Sequence, residues 1–173
     1  RWQQAAERRL PPASLTKIMT ALLVLERGGL ERIATVGAAA VAETGTRIGL
    51  RKGDQLSVAD LLAASLVASA NDACHALADH VDGSETAFVQ RMNQRAQDLR
   101  LHETHFSNAC GHDAADHLSS ARDLAALAEQ ALAQIDARGY AVAWQADGRT
   151  VVKVGVEFDR QTRNLGRWLV CPA

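Results

Sequence analysis

Nowhere does this chain carry an apolar run approaching the roughly 18 residues that a membrane-crossing helix requires; the longest candidate, Leu61 to Ala70, is broken by serines. No transmembrane segment is expected. Charge of one sign is also lacking, since 19 basic and 20 acidic residues are interspersed with no polybasic block and leave a formal net charge of −1. That balance excludes the electrostatic footprint of a nucleic-acid or anionic-membrane partner. Cysteine is scarce: Cys74, Cys110 and Cys171 have no metal-ligand spacing and leave one odd thiol however two of them pair, so the redox compartment stays open. Arg1-Trp2-Gln3-Gln4 has no apolar signal core, which leaves an export signal removed, outside this sequence, or never present. Internal repeats and low-complexity tracts are absent.

What is there fits one folded domain, or one domain with a small appendage: 173 residues, 47% hydrophobic and 23% charged, enough for a real core. The chain is organised around Pro12-Ala13-Ser14-Leu15-Thr16-Lys17-Ile18-Met19-Thr20. Leu15, Ile18, Met19, Leu22, Leu23 and Leu25 recur at helical spacing, and Gly28-Gly29 supplies the stop. Ser14 and Lys17 then share one helix face. A serine is a poor nucleophile unless a base lies within hydrogen-bond reach, and a lysine can be that base only when burial or cationic neighbours favour its uncharged amine. The bland alternative is a capping serine and a solvated lysine. With eight serines and three lysines in the chain, roughly 0.14 Ser-x-x-Lys matches arise by chance.

Along the chain, Ile33–Val36 and Thr46–Leu50 read as short strands, with Arg51-Lys52-Gly53-Asp54 as a turn. Ser57-Val58-Ala59-Asp60 starts a buried helix that runs into Ser69-Ala70-Asn71. A serine and an asparagine inside an apolar, alanine-rich segment each cost about 1–3 kcal/mol if buried without partners. Either Ser69 ends one helix and Asn71 caps the next, or both side chains are aimed into a cleft, and the two accounts are compatible. Gly83-Ser84 opens a helix burying Phe88, Val89, Met92, Ala96 and Leu99, with Arg91, Gln94 and Arg95 on a solvated face. His102, His105, His112 and His117 crowd the loop to Leu118, but their spacing fits no metal site and predicts a surface loop. Ser120 caps a helix through Leu124, Leu127, Ala128 and Leu132. Beyond Tyr140 the chain turns to strands: Tyr140–Ala146 and Arg149–Phe158 flank the hairpin signal Asp147-Gly148, and Asn164–Val170 reads as a final strand.

The two polar stations, Ser14-Leu15-Thr16-Lys17 and Ser69-Ala70-Asn71, resemble the Ser-x-x-Lys and Ser-x-Asn motifs of the serine D-alanyl-D-alanine carboxypeptidases, members of the penicillin-binding proteins and the wider serine β-lactamase-like superfamily. Arg47-Ile48-Gly49-Leu50 with Gly53-Asp54, Phe106-Ser107-Asn108 with Cys110-Gly111, and Ser119-Ser120-Ala121-Arg122-Asp123 are similar to that family in the same order. The resemblance covers about residues 10–133. It implies an α+β fold, a helical region (residues 1–139) beside a partial antiparallel sheet, with residues 140–173 a strand-rich segment of no recognisable kinship. It further implies that Ser14 attacks the bond between the last two D-alanines of a peptidoglycan stem peptide, that Lys17 accepts the proton, that Ser69 relays it to the leaving D-alanine and that Asn71 orients the substrate amide. β-Lactams would acylate the same serine, no metal or other cofactor would be needed, and the protein would work in the periplasm or otherwise outside the cytoplasmic membrane. That location would allow a Cys74–Cys110 disulfide.

Two departures stand beside the resemblance. Thirteen residues before Ser14 cannot fully supply the family's upstream strands, and no Lys-Thr-Gly follows; Lys153-Val154-Gly155 is the one stand-in for this third motif. A catalytically incomplete peptidoglycan- or penicillin-binding remnant or scaffold is therefore the alternative to an active carboxypeptidase. A serine β-lactamase fits less well, since Ser-Ala-Asn replaces Ser-Asp-Asn and no Glu-x-x-Leu-Asn run is present.

Overall fold

The computed structural model describes residues 5–137 and, by backbone alone, the strand pair 152–159 and 164–172. The chain divides into two compact units, residues 1–134 and 135–173. In the first, a 3-10 turn over Ala13–Thr16 leads directly into α1 (Lys17–Arg27), which Gly28 ends with a φ of 72°. There follow β1 (Ile33–Thr35), the single turn α2 (Ala38–Val41), β2 (Gln55–Ser57), α3 (Val58–Val67), α4 (Asn71–Asp82), α5 (Glu85–Asp98) and α6 (Ala121–Ala137).

α4 is the central helix, touching α1, α2, α3, α5 and β1. Its sequence explains how: Ala73, Ala76 and Ala78 are small enough to let several helices approach, and Cys74, Leu77 and Val81 complete an almost fully buried surface. Met19, Leu22, Leu23 and Val24 of α1 and Phe88, Met92 and Ala96 of α5 pack around it. Caps mark the helix starts. Ser57 Oγ accepts from Asp60 N at 3.0 Å and Ser84 Oγ from Ala87 N at 3.2 Å, satisfying donors that a helix start leaves free.

β1 and β2 pair antiparallel as a two-stranded ribbon. Thr46–Leu50 is not the strand that its sequence suggested. The backbone N–H groups of Ile48, Gly49 and Leu50 donate instead to the buried carboxylate of Asp72, at 3.2, 2.9 and 3.0 Å, which occupies the donors a sheet ladder would need. Arg51–Asp54 is the expected turn, closed by Asp54 N to Arg51 O at 3.0 Å. The expected solvated face of α5 is exposed at Arg91 and Gln94 and half-buried at Arg95, and its arginines are paired: Arg95 makes two hydrogen bonds to Glu26 Oε1, at 3.0 and 2.6 Å, and Arg91 pairs with Asp82.

In the second unit β3 (Val152–Asp159) pairs antiparallel with β4 (Asn164–Pro172). The expected final strand is thus the partner of β3, with Lys153 opposite Cys171. Tyr140–Ala146 and the Asp147-Gly148 turn lie outside the described residues.

Candidate active site

Ser14 owes its position to the backbone before it. Leu10 exchanges two hydrogen bonds with Ser119, of 2.8 and 2.9 Å. Pro11 and Pro12 follow, with φ confined and no N–H to satisfy; Ala13 then takes a left-handed φ of 48°, and the 3-10 turn begins. Ser14 opens onto a cleft of about 580 Å³ whose lining includes Leu15, Lys17, Ile18, Ser65, Leu66 and Ser69. Across it, Ser69 Oγ donates to Ser14 Oγ at 2.9 Å, although 55 residues separate the two.

Ser69 lies between α3 and α4 with a left-handed φ of 54°. Asn71 is not the cap of α4, as one sequence reading had it, but its first residue; Ala70 stands at the cap. Its amide is used elsewhere. Oδ1 accepts from Lys17 Nζ at 2.8 Å and Nδ2 donates to Thr44 O at 2.7 Å.

Lys17 is only 3% exposed, so it is not the solvated helix lysine of the bland alternative. Its second partner is Cys110 O at 2.6 Å. These two oxygens fix Nζ within the lining of the cleft onto which Ser14 opens.

The loop supplying Cys110 O is shaped by Asn108, whose Oδ1 accepts from the backbone N–H of Cys110, Gly111 and His112 at 3.3, 2.7 and 3.0 Å, while Nδ2 donates to His112 O at 2.9 Å. Thr20 Oγ1 stitches the loop to α1 through Ala109 O at 2.7 Å. Gly111 lies so close to the turn that carries Ser14 that a Cβ there would meet Ala13 O at 2.1 Å, and its φ is 93°. A side chain at this position would push Ala13-Ser14 away.

His117 corrects the reading of its loop as surface. It is 1% exposed; Ser107 N donates to its Nδ1 at 2.9 Å, so Nε2 carries the proton and donates to Thr16 Oγ1 at 2.7 Å. Burial pushes its pKa down from the ordinary 6.5, with His105 and His112 adding to the effect and Asp113 opposing it. The cysteine bridge that the resemblance allowed is not formed. Cys74 and Cys110 are buried free thiols, Cys74 Sγ donating to Ala109 O at 3.2 Å and Cys110 Sγ to Asn71 O at 3.6 Å. The neighbouring Cys74 thiol, then burial, push the Cys110 pKa up, so Cys110 is no ready nucleophile.

The four residues singled out in the sequence therefore converge: Ser69 on Ser14, and Asn71 on Lys17. Sequence reasoning missed the Cys110 carbonyl, Asp72 and His117. A backbone carbonyl leaves no mark on residue type, Asp72 reveals its role only through the amides of Ile48, Gly49 and Leu50, and His117 through Thr16, 101 residues away, and Ser107.

Comparison with known proteins bears on the same arrangement. The family profile described as D-alanyl-D-alanine carboxypeptidase, peptidase S11, matches residues 2–164. D-alanyl-D-alanine carboxypeptidase DacF of Bacillus subtilis is 38% identical over 136 residues, covering 76% of this chain and 35% of DacF. DacC of Escherichia coli is 42% identical over 133 residues, covering 70% and 33%. The chain thus spans about a third of the length of these relatives. Among solved structures, penicillin binding protein 6B from Escherichia coli superposes with a TM-score of 0.67 at 39% identity, covering 73% of this chain and 43% of that one. The Streptomyces K15 DD-transpeptidase gives a TM-score of 0.71 at 27% identity, covering 95% and 64%. The fold is accordingly α+β and penicillin-binding-protein-like. By its sequence and by the fold built on it, the chain belongs to the D-alanyl-D-alanine carboxypeptidase family, peptidase S11.

Proposed function

We propose that this chain carries the nucleophile and proton-transfer machinery of a serine-type D-Ala-D-Ala carboxypeptidase acting on peptidoglycan stem peptides outside the cytoplasmic membrane. The observation that carries the reading is the 2.9 Å contact between Ser69 and Ser14 beside the buried Lys17. Ser69 donates to Ser14 Oγ, which leaves the Ser14 proton free to pass to the Lys17 amine as Oγ attacks the carbonyl of the penultimate D-alanine. The tetrahedral intermediate collapses as the terminal D-alanine leaves, its nitrogen taking a proton from Lys17 by way of the Ser69 hydroxyl. Water then cleaves the Ser14 ester by the same route in reverse. Asn71 is the positioning residue that holds the amine, and its second Nδ2 hydrogen is available to a substrate carbonyl. β-Lactams, carrying a strained amide in place of the scissile bond, would acylate Ser14. None of these steps draws on a metal or other cofactor.

Cleavage of a synthetic peptide ending in D-Ala-D-Ala tests the reading by the D-alanine it releases. Release is expected from the native chain and not from Ser14→Ala. Equal release by the two proteins, or none from either, would reject it.

A further inference from the structure

Away from the Ser14 cleft, four stretches of chain bring imidazole and carboxylate groups to one place. Glu43 Oε1 lies 2.6 Å from His75 Nδ1, and Glu85 Oε2 lies 3.8 Å from the same nitrogen. One ligand atom from each of the three falls within 4.8 Å of the others. The other oxygen of Glu43 meets His112 Nε2 at 2.6 Å. We propose that Glu43, His75 and Glu85 bind a divalent transition-metal ion of the zinc class, with His112 completing the site.

Three physical arguments support the assignment. The first is charge: Glu43, Glu85 and Asp79 gather around an imidazole only 8% exposed, and among the described residues their ion pairs are with His75 and His112 alone. Partly buried carboxylates in excess over cations are costly unless a counter-charge joins them. The second is donor chemistry. Two imidazole nitrogens with carboxylate oxygens suit zinc and its neighbours, whereas magnesium and calcium prefer oxygen alone. The third is support. His75 Nε2 lies 3.6 Å from Asp79 Oδ1, just beyond hydrogen-bond reach and at the place of the outer carboxylate that orients a ligating histidine. With metal–ligand bonds of about 2.0–2.1 Å, the edges of a tetrahedral site are about 3.3 Å. The 2.6 Å contact of His75 with Glu43 would open, and the 3.8 Å contact of His75 with Glu85 close, by roughly 0.5–0.7 Å, while His112, which meets the other oxygen of Glu43, would have to swing in to join them.

The ion would also act at a distance on Lys17. Thr44, next to Glu43, accepts from Asn71 at 2.7 Å, and Cys110, two residues before His112, accepts from Lys17 at 2.6 Å. Metal binding ties together the two loops that hold the amine. The proposal does not depend on the carboxypeptidase reading.

Competition for Zn²⁺ between the tag-free chain and a chromophoric chelator, with Mg²⁺ in parallel, tests it. One Zn²⁺ per chain is expected, with no competition from Mg²⁺, and X-ray absorption should give a nitrogen and oxygen shell without sulfur. Glu43→Gln and His75→Gln should each weaken binding about tenfold or more, while His102→Gln, on the exposed part of the loop, should not. Should His75→Gln fail to fold, as judged by circular dichroism, His112→Leu reads the same site from its partly exposed loop. Absence of stoichiometric binding, binding that survives Glu43→Gln and His112→Leu, or a sulfur ligand would overturn the proposal.

Discussion

Ser69 holds a φ of 54° and Ala13 one of 48°, a region that costs a residue with a Cβ about 1–2 kcal/mol. At Ser69 that conformation aims the hydroxyl at Ser14. Ser69→Gly should therefore lose about 10²-fold in the rate of penicillin acylation while its melting temperature holds or rises. Ser69→Ala should lose the same activity without the gain, because alanine keeps the strain. A matched pair of melting curves and acylation rates checks both. Gly111 supplies the opposite case, since Ala13 O would sit 2.1 Å from an added Cβ. Gly111→Ala is expected to destabilise the fold by about 2–3 kcal/mol, read by urea unfolding, and to abolish acylation by displacing Ser14. Ser14 and Lys17 were legible as a pair because they are near in sequence. The oxygen that shares Lys17 with Asn71 was not, because Cys110 contributes it from its backbone, 93 residues on.

Among the elements, the longer helices were legible, the single turn α2 and the strand β2 were not, and Thr46–Leu50 was read as a strand that the chain does not form. Serine caps and 3.6-residue apolar spacing located α3 and α5 because both signals are local, whereas the alternation in Thr46–Leu50 was overridden by one buried carboxylate from α4. Asp72 is the pin: it accepts from Ile48, Gly49 and Leu50 and so fixes the stretch just beyond Thr44, the anchor of Asn71. Asp72→Ala would leave three donors seeking partners, and a loss of about 3 kcal/mol is expected from chemical denaturation. Hydrogen exchange should show protection lost first at the amides of residues 48–50. Unchanged protection there would mean that the segment is held by something other than Asp72.

At the scale of the whole molecule, stability should depend on acid through groups that the fold keeps from protonating. His117 has its pKa lowered by burial, then by His105 and His112, with Asp113 opposing. The unfolded chain therefore takes up that proton first as pH falls, and the contribution of His117 is complete above its ordinary 6.5 and lost as pH drops through the lower folded value. Glu43 acts in a more acidic window. Burial would raise its pKa, but hydrogen bonds from His75 and His112 outweigh it and leave the value below the ordinary 4.5; its contribution is present above 4.5 and lost as pH falls through the folded value. The melting temperature should thus decline between about pH 7.5 and about pH 5.5, with His117→Gln flattening that part of the profile. A flat native profile over the range would contradict the buried, neutral histidine.

All of these side chains serve one claim, that Ser14 is a nucleophile activated by groups drawn from three separate parts of the chain. Reaction with a fluorescent penicillin followed by peptide mass spectrometry tests it most directly. A single acyl adduct on Ser14 is expected, absent from Ser14→Ala and strongly slowed in Lys17→Ala. An adduct that persists in Ser14→Ala, or a native chain that takes up no label, would contradict it.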